Sequence, residues 1–266
     1  MMEGIADYRF QGSLGDAAHG HLYLAARPAR VAGSGDSVAV KVVVGATADA
    51  FRRFSRELQT YASVQSPYLV QLLDAGQQAD TFFSVREYLE LGTLETPARE
   101  LTRGEKLRAV QHAALAAHAL HEAGMAHRDI RPATIWLHEH GAKLGDLGLA
   151  QAADGSAQVT TMVAKPVAVA FLDPACISND SPTRAADIYA LGMTLHVALT
   201  GATVFGDIPD DPILAIRSVM RANPEVSNTL APNEATLIRS CIASDLNARP
   251  ATAAELADQI KALGAA

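Results

Sequence analysis

Cysteine is nearly absent from this chain: Cys176 and Cys241 are the two in 266 residues, and they lie far apart. With no histidine cluster beside them they suggest neither a disulfide framework nor a zinc site, and a reduced, cytoplasmic compartment is expected. A basic excess is missing as well. The formal net charge of −7 argues against a general nucleic-acid binder, because phosphate contacts need a basic face. The short stretches RPAR (27–30) and FRRFSR (51–56) read as solvated faces. No apolar run approaches the ~20 residues that span a bilayer, and the opening MMEGIADYRF lacks a signal-peptide core. No membrane segment is therefore expected within the chain, which could still be the intracellular domain of a longer protein. Internal repeats and low-complexity segments are lacking too.

What is present is enough apolar sequence for a large core: 49% hydrophobic against 19% charged residues. The first ninety residues pattern as strands with one helix. YRFQGSL and HLYLAAR flank a glycine-containing turn, and a Gly/Ser-rich tip (32–37) leads into the β-branched run VAVKVVV. Residues 48–64 carry Phe51, Phe54, Leu58 and Tyr61 at helical spacing and stop near Pro67. LVQLLDAG and FFSVREYL supply two more strands. From residue 103 the pattern turns helical: LRAVQHAALAAHALHEAG ends at Gly124, and a largely apolar helix covers 184–201. Weaker helices are expected at roughly 211–221, 233–243 and 252–263. The fold class is α+β, a small β-rich part followed by a larger helical one, with the crossing near residues 87–93.

The chemistry concentrates in AHRDIRPATIWLHEHGAKLGDLGLA, residues 126–150. Asp129 and Asp146 stand seventeen positions apart, each in a turn beside a short apolar strand. Such a pair reads as a phosphotransfer centre, one carboxylate orienting a hydroxyl nucleophile and the other holding Mg²⁺ on a nucleotide. Lys41 sits among apolar neighbours in a strand, where an isolated buried ammonium needs a partner, and Glu57 lies mid-helix near the apolar face of Phe54, Leu58 and Tyr61. By contrast His112, His118 and His121 have no convergent carboxylate or cysteine pattern and read as core or surface histidines.

These residues resemble the H-R-D-x-K-P-x-N and D-F-G loops of protein kinases, and the likeness to bacterial Ser/Thr kinases runs over about residues 8–263. It implies one bilobal domain over 1–266, with a small N-lobe of about 8–88 and a larger C-lobe of about 89–263. It implies ATP and Mg²⁺ as cofactors and a protein substrate or regulatory protein as partner. Asp129 and Arg131 would serve catalysis, while Lys41, fixed by Glu57, would reach the α- and β-phosphates. Gly15 and Gly20 would belong to the phosphate loop, and Glu87 and Leu89 to the hinge that grips the adenine. Asp146 and Thr134 would ligate metal, Asp187 would anchor the catalytic loop, and Arg249 would be the late arginine of the large lobe. Thr160 and Thr161, if phosphorylated, would pair with Arg128. Bacterial receptor kinases also suggest a homodimer through the N-lobe.

Several positions depart from the pattern. Ala17 replaces the middle glycine of the phosphate loop, Arg131 replaces lysine, Thr134 replaces asparagine, and Leu147 replaces phenylalanine. Ala168 stands for a threonine, and Ala175 for the glutamate that would pair with Arg249, so that arginine needs another partner. Arg86, immediately before the hinge, needs an acceptor in Glu57 or Asp146, or else swings outward. Two functions remain open: a Ser/Thr kinase, or a pseudokinase that binds and scaffolds. A small-molecule kinase is less favoured by the length and order of the segment between Asp146 and Pro174.

Overall fold

A computed structural model describes residues 3–17, 20–33, 35–44, 48–147, 151–152, 166–175 and 184–264. They divide into two compact units. One holds the chain up to Gln65, Val70–Glu90, and Asp146 with Leu147; the other holds Ser66–Leu69, Leu91–Gly145 and the chain from Gln151 onward.

The first unit is an antiparallel sheet with one helix. Its strands are β1 (Gly4–Ile5), β2 (Tyr8–Ala17), β3 (Gly20–Ala26), β4 (Ser37–Val44), β5 (Leu72–Gln78) and β6 (Thr81–Glu87), in the order β1-β2-β3-β4-β6-β5. Helix α1 spans Ala48–Ser63. Alternation along β4 sorts its side chains to two faces. Val38, Val40 and Val42 join Tyr8, Ala25, Phe83 and Val85 in one apolar cluster. Val43 turns the other way and packs with Phe82 against Phe54 of α1, the two rings 5.3 Å apart. Directly opposed residues on paired strands share a face. The pairs Val43–Phe82, Lys41–Ser84 and Ala39–Arg86 therefore put Lys41, Ser84 and Arg86 on the face that packs against α1.

In the β2–β3 hairpin, Gly15 has φ +100 and lies where the register shifts after Ser13, a bulge that needs glycine. A Cβ on Gly20 would meet the Val42 carbonyl at 2.6 Å, so close approach to β4 fixes that glycine. Ala17 is paired with Gly20 in the ladder. Residues 18–19 at the tip, and the side chain of Ala17, lie outside the described residues.

The second unit is built on α2 (Arg103–Glu122), which starts four residues before the apolar run because Thr102 and Glu105 close a capping box. Its alanines 109, 113, 114, 116 and 117 are buried, which lets neighbours approach closely. The chain continues through β7 (Met125–Ala126), a single 3-10 turn (Pro132–Thr134), the hairpin β8 (Ile135–His138) with β9 (Gly141–Leu144), and β10 (Gln151–Ala152), which pairs with β7. Short α3 (Pro166–Val169) precedes α4 (Arg184–Thr200), α5 (Pro212–Arg221), α6 (Pro232–Cys241) and α7 (Ala253–Leu263). α4 is buried over most of its length and packs against α2, α6 and α7. The expected 211–221 and 252–263 helices each begin one residue later because Asp211 and Thr252 act as N-caps. No described helix is long and apolar enough to cross a membrane.

Candidate functional site

In the helical unit, the loop from His127 to Thr134 is held from three sides. Asp187 of α4 accepts the backbone N–H of His127 at 2.8 Å and of Arg128 at 2.9 Å, and meets His121 Nε2 of α2 at 2.8 Å. These bonds hold Arg128 at φ 72, the left-handed region that a non-glycine residue enters at a cost of about 1 kcal/mol or more. Burial pushes the Asp187 carboxyl upward, but His121 and the loop amides outweigh it, so its pKa lies below the usual range. His127 Nε2 bonds the Gly145 carbonyl at 2.9 Å, tying the loop to the end of β9.

The loop presents Asp129, whose Oδ1 takes Arg131 Nε at 3.0 Å. Both side chains keep about a seventh of their surface in contact with solvent, each 14% exposed. The pair is thus neither sealed nor free in water, which suits a carboxylate that meets an incoming hydroxyl. Thr134 does something other than expected. Fully buried, its hydroxyl lies 2.9 Å from the Asp129 carbonyl and 3.0 Å from that of Arg131, and it accepts the Arg131 N–H at 3.2 Å. The geometry makes it a staple of the loop backbone; the oxygen expected to reach a metal is turned to amide groups.

Arg249 also finds its partner. With Ala175 unable to pair, its guanidinium forms a two-pronged ion pair with Asp173, at 2.5 and 3.1 Å, and lies 5.2 Å from the Tyr189 ring. Asp173, two residues before Ala175, was the one acidic residue of the segment AFLDPACIS and could have been found on that ground.

In the β-rich unit, Lys41 is buried on the α1-facing side of the sheet. Glu57 lies on α1, but its side chain falls outside the described residues, as do Thr160 and Thr161. Arg86 faces inward rather than outward: Nη1 meets Asp146 Oδ1 at 3.0 Å, with the residues 2% and 6% exposed, and its guanidinium lies 5.5 Å from the Tyr61 ring. Asp146 has φ 59, a strained value that aspartate tolerates better than most. Glu87 is tied to the start of β5: its N–H donates to the Gln71 carbonyl at 3.0 Å, and its carboxylate accepts the Gln71 N–H at 2.7 Å. Leu89 follows, nearly buried.

Mg²⁺ takes hard oxygen donors in a near-octahedral shell and prefers carboxylates. Asp146 already carries a guanidinium in a nearly dry setting, and the Thr134 hydroxyl is spent within its own loop. The donor groups as arranged do not fit the ion. Among the described residues no cluster of histidine, cysteine or acidic side chains could hold another metal.

The comparisons with known proteins agree with this set of loops. The protein kinase domain family matches residues 8–260. The chain is 31% identical over 221 residues to "probable serine/threonine-protein kinase pknA2" of Bifidobacterium longum, covering 80% of this chain and 29% of that protein. To the serine/threonine-protein kinase PknK of Mycobacterium tuberculosis it is 32% identical over 235 residues, 85% of this chain and 21% of PknK. The serine/threonine-protein kinase AfsK of Streptomyces griseus is 29% identical over 248 residues, 91% of this chain and 30% of AfsK. The chain thus spans between a fifth and a third of the length of these relatives. With its H-R-D and D-L-G loops in place and the match running over nearly its whole length, the chain belongs to the protein kinase domain family, with bacterial Ser/Thr kinases among its relatives.

Proposed function

We propose that this domain transfers the γ-phosphoryl group of ATP to a serine or threonine hydroxyl of a protein. The observation that carries the reading is Asp129, set at the rim of a loop whose backbone is pinned by Asp187 and Thr134. In this role Asp129 accepts the hydrogen bond of the acceptor hydroxyl, orients its oxygen and takes its proton as that oxygen bonds the γ-phosphorus and the bond from the γ-phosphorus to the bridging oxygen breaks, releasing ADP. Arg131, at 3.0 Å from Asp129, supplies positive charge beside the reacting atoms as a planar fork. In this reading Lys41 meets the nucleotide phosphates, and Glu87, at the end of β6, with Leu89 just beyond it, meets the base. Mg²⁺ is the divalent ion that the family resemblance implies. This reading puts the domain in the cytoplasm, where ATP and protein hydroxyls are available, and the buried free thiol of Cys241 supports a reducing compartment. A homodimer through the β-rich unit and phosphorylation of Thr160 or Thr161 remain proposals of the same resemblance.

The pairing of Arg86 with Asp146 favours a second reading, a nucleotide-binding pseudokinase that presents surfaces to a protein partner. Autophosphorylation with γ-labelled ATP separates the two. Wild type should incorporate label, and Asp129→Asn should reduce the rate by about 10²–10⁴-fold, the usual worth of a positioned proton acceptor. Equal incorporation by both proteins would leave the binding module.

A further inference from the structure

Two buried cations share one face of the β-rich unit. Lys41 and Arg86 are diagonal neighbours across β4 and β6, and both are 2% exposed. One of them, Arg86, already occupies the carboxylate that the family resemblance assigns to a divalent ion. We infer that Arg86 takes the place of that ion at Asp146, so that this domain binds a nucleoside triphosphate without a divalent metal. The inference rests on the nucleotide reading given above and adds to it the form of the ligand: free nucleotide, not its metal complex.

The argument is one of charge and burial. Asp146 in isolation would be an uncompensated buried anion, and something positive must balance it. A dissolved ion can do so only by giving up its hydration and its freedom. The Arg86 guanidinium is tethered on β6, lies over the Tyr61 ring and reaches Asp146 Oδ1; its loss of hydration and freedom belongs to folding and not to ligand binding. A metal arriving at Asp146 must either share the carboxylate with a like charge or displace the guanidinium from a contact made in a nearly dry setting. Breaking a buried pair by removing one partner is strongly unfavourable. The expected weakening of metal affinity is on the order of a hundredfold or more. Arg86 and Lys41 together then supply the positive charge that the phosphates need. Methionine, leucine or threonine at position 86 would leave Asp146 open to the ion, so the substitution exchanges a cation drawn from solution for one that the strand carries.

Thermal unfolding of the whole chain tests this, with ATP present in EDTA and then with Mg²⁺ titrated in. Wild type should gain its full ATP-dependent rise in Tm in EDTA, with no further rise on adding Mg²⁺. Arg86→Met should gain little in EDTA and recover its rise as Mg²⁺ is added. Where both proteins respond to Mg²⁺, the variant's midpoint should lie about a hundredfold below that of wild type. A wild type that needs Mg²⁺ at the same midpoint as Arg86→Met would overturn the inference while leaving nucleotide binding intact. No rise with ATP under any condition, in either protein, would remove the nucleotide reading and the inference with it. Should Arg86→Met fail to fold, Mn²⁺ electron spin resonance on wild type decides. Spectra with and without protein should both match Mn²⁺–ATP alone; a protein-bound Mn²⁺ signal would contradict the claim.

Discussion

His196, near the end of α4, has each ring nitrogen committed to a different role. Nδ1 donates to the Ala202 carbonyl at 2.9 Å, while Nε2 accepts the Ser227 N–H at 3.1 Å. That arrangement requires the neutral ring, since a proton on Nε2 would face the Ser227 donor. Burial accordingly lowers its pKa below the ordinary 6.5, with only partial opposition from the Ala202 carbonyl. The folded value lies below the unfolded one, so the unfolded chain takes up the proton first. The contribution is complete above the unfolded pKa and declines as pH falls through about 6.5, at no more than about 1.4 kcal/mol per pH unit for one group. His112 is depressed in the same direction, again chiefly by burial. Urea unfolding between pH 7.5 and 5.5, taken as round values on either side of that pKa, should show a shallower loss of stability in His196→Gln than in wild type. Parallel slopes would mean that His196 is not the titrating group.

At the scale of elements, the buried pair between Arg249 and Asp173 ties the residue that follows the turn at Leu246–Ala248 to the segment after α3. Their side chains are each 1% exposed, so neither charge has water to fall back on. Asp173→Ala should cost about 3–5 kcal/mol in urea unfolding, because it strands a buried guanidinium. The double variant Asp173→Leu with Arg249→Met should recover most of that loss. A small effect of the single variant would show that the ion pair is not structurally important. This pair also shows where sequence reading stopped. The β-branched run VAVKVVV and the helical spacing of Phe54, Leu58 and Tyr61 were legible because β-branched residues favour strands and burial of one helix face imposes a period on the sequence. Asp173 was open only to elimination within its segment, and His121 beside Asp187 to no local signal, because a polar contact over many residues of chain leaves no periodic trace. Arg86 was legible only as a problem. A guanidinium at a buried strand position demands an acceptor, and sequence left Asp146, Glu57 and an outward turn equally open. The strand parity that puts Arg86 on the face of Val43 and Phe82 turns it inward, and the structure gives it Asp146. Thr134 bonds within its own loop for a local reason: a short side chain on the 3-10 turn lies within reach of the Asp129 and Arg131 carbonyls.

For the molecule as a whole, the family resemblance rests on the matched loops, while Arg86, Arg131 and Thr134 depart from the family pattern and, of the three, Arg86 alone adds a charge. The loop bearing Asp129 is bonded at His127, Arg128 and Thr134, although Arg128 sits in a strained conformation. Three backbone anchors on one short loop imply that its geometry is maintained for use. The most direct test of that claim is transfer to an external acceptor. Matched peptides bearing serine, threonine, tyrosine or alanine at one position should be incubated with ATP and the wild-type chain, and their masses and the ADP released compared. Phosphorylated serine and threonine peptides, one ADP for each phosphate, with about 10²–10⁴-fold less product from Asp129→Asn, are the predicted result. Product from wild type that does not exceed that from Asp129→Asn would contradict it.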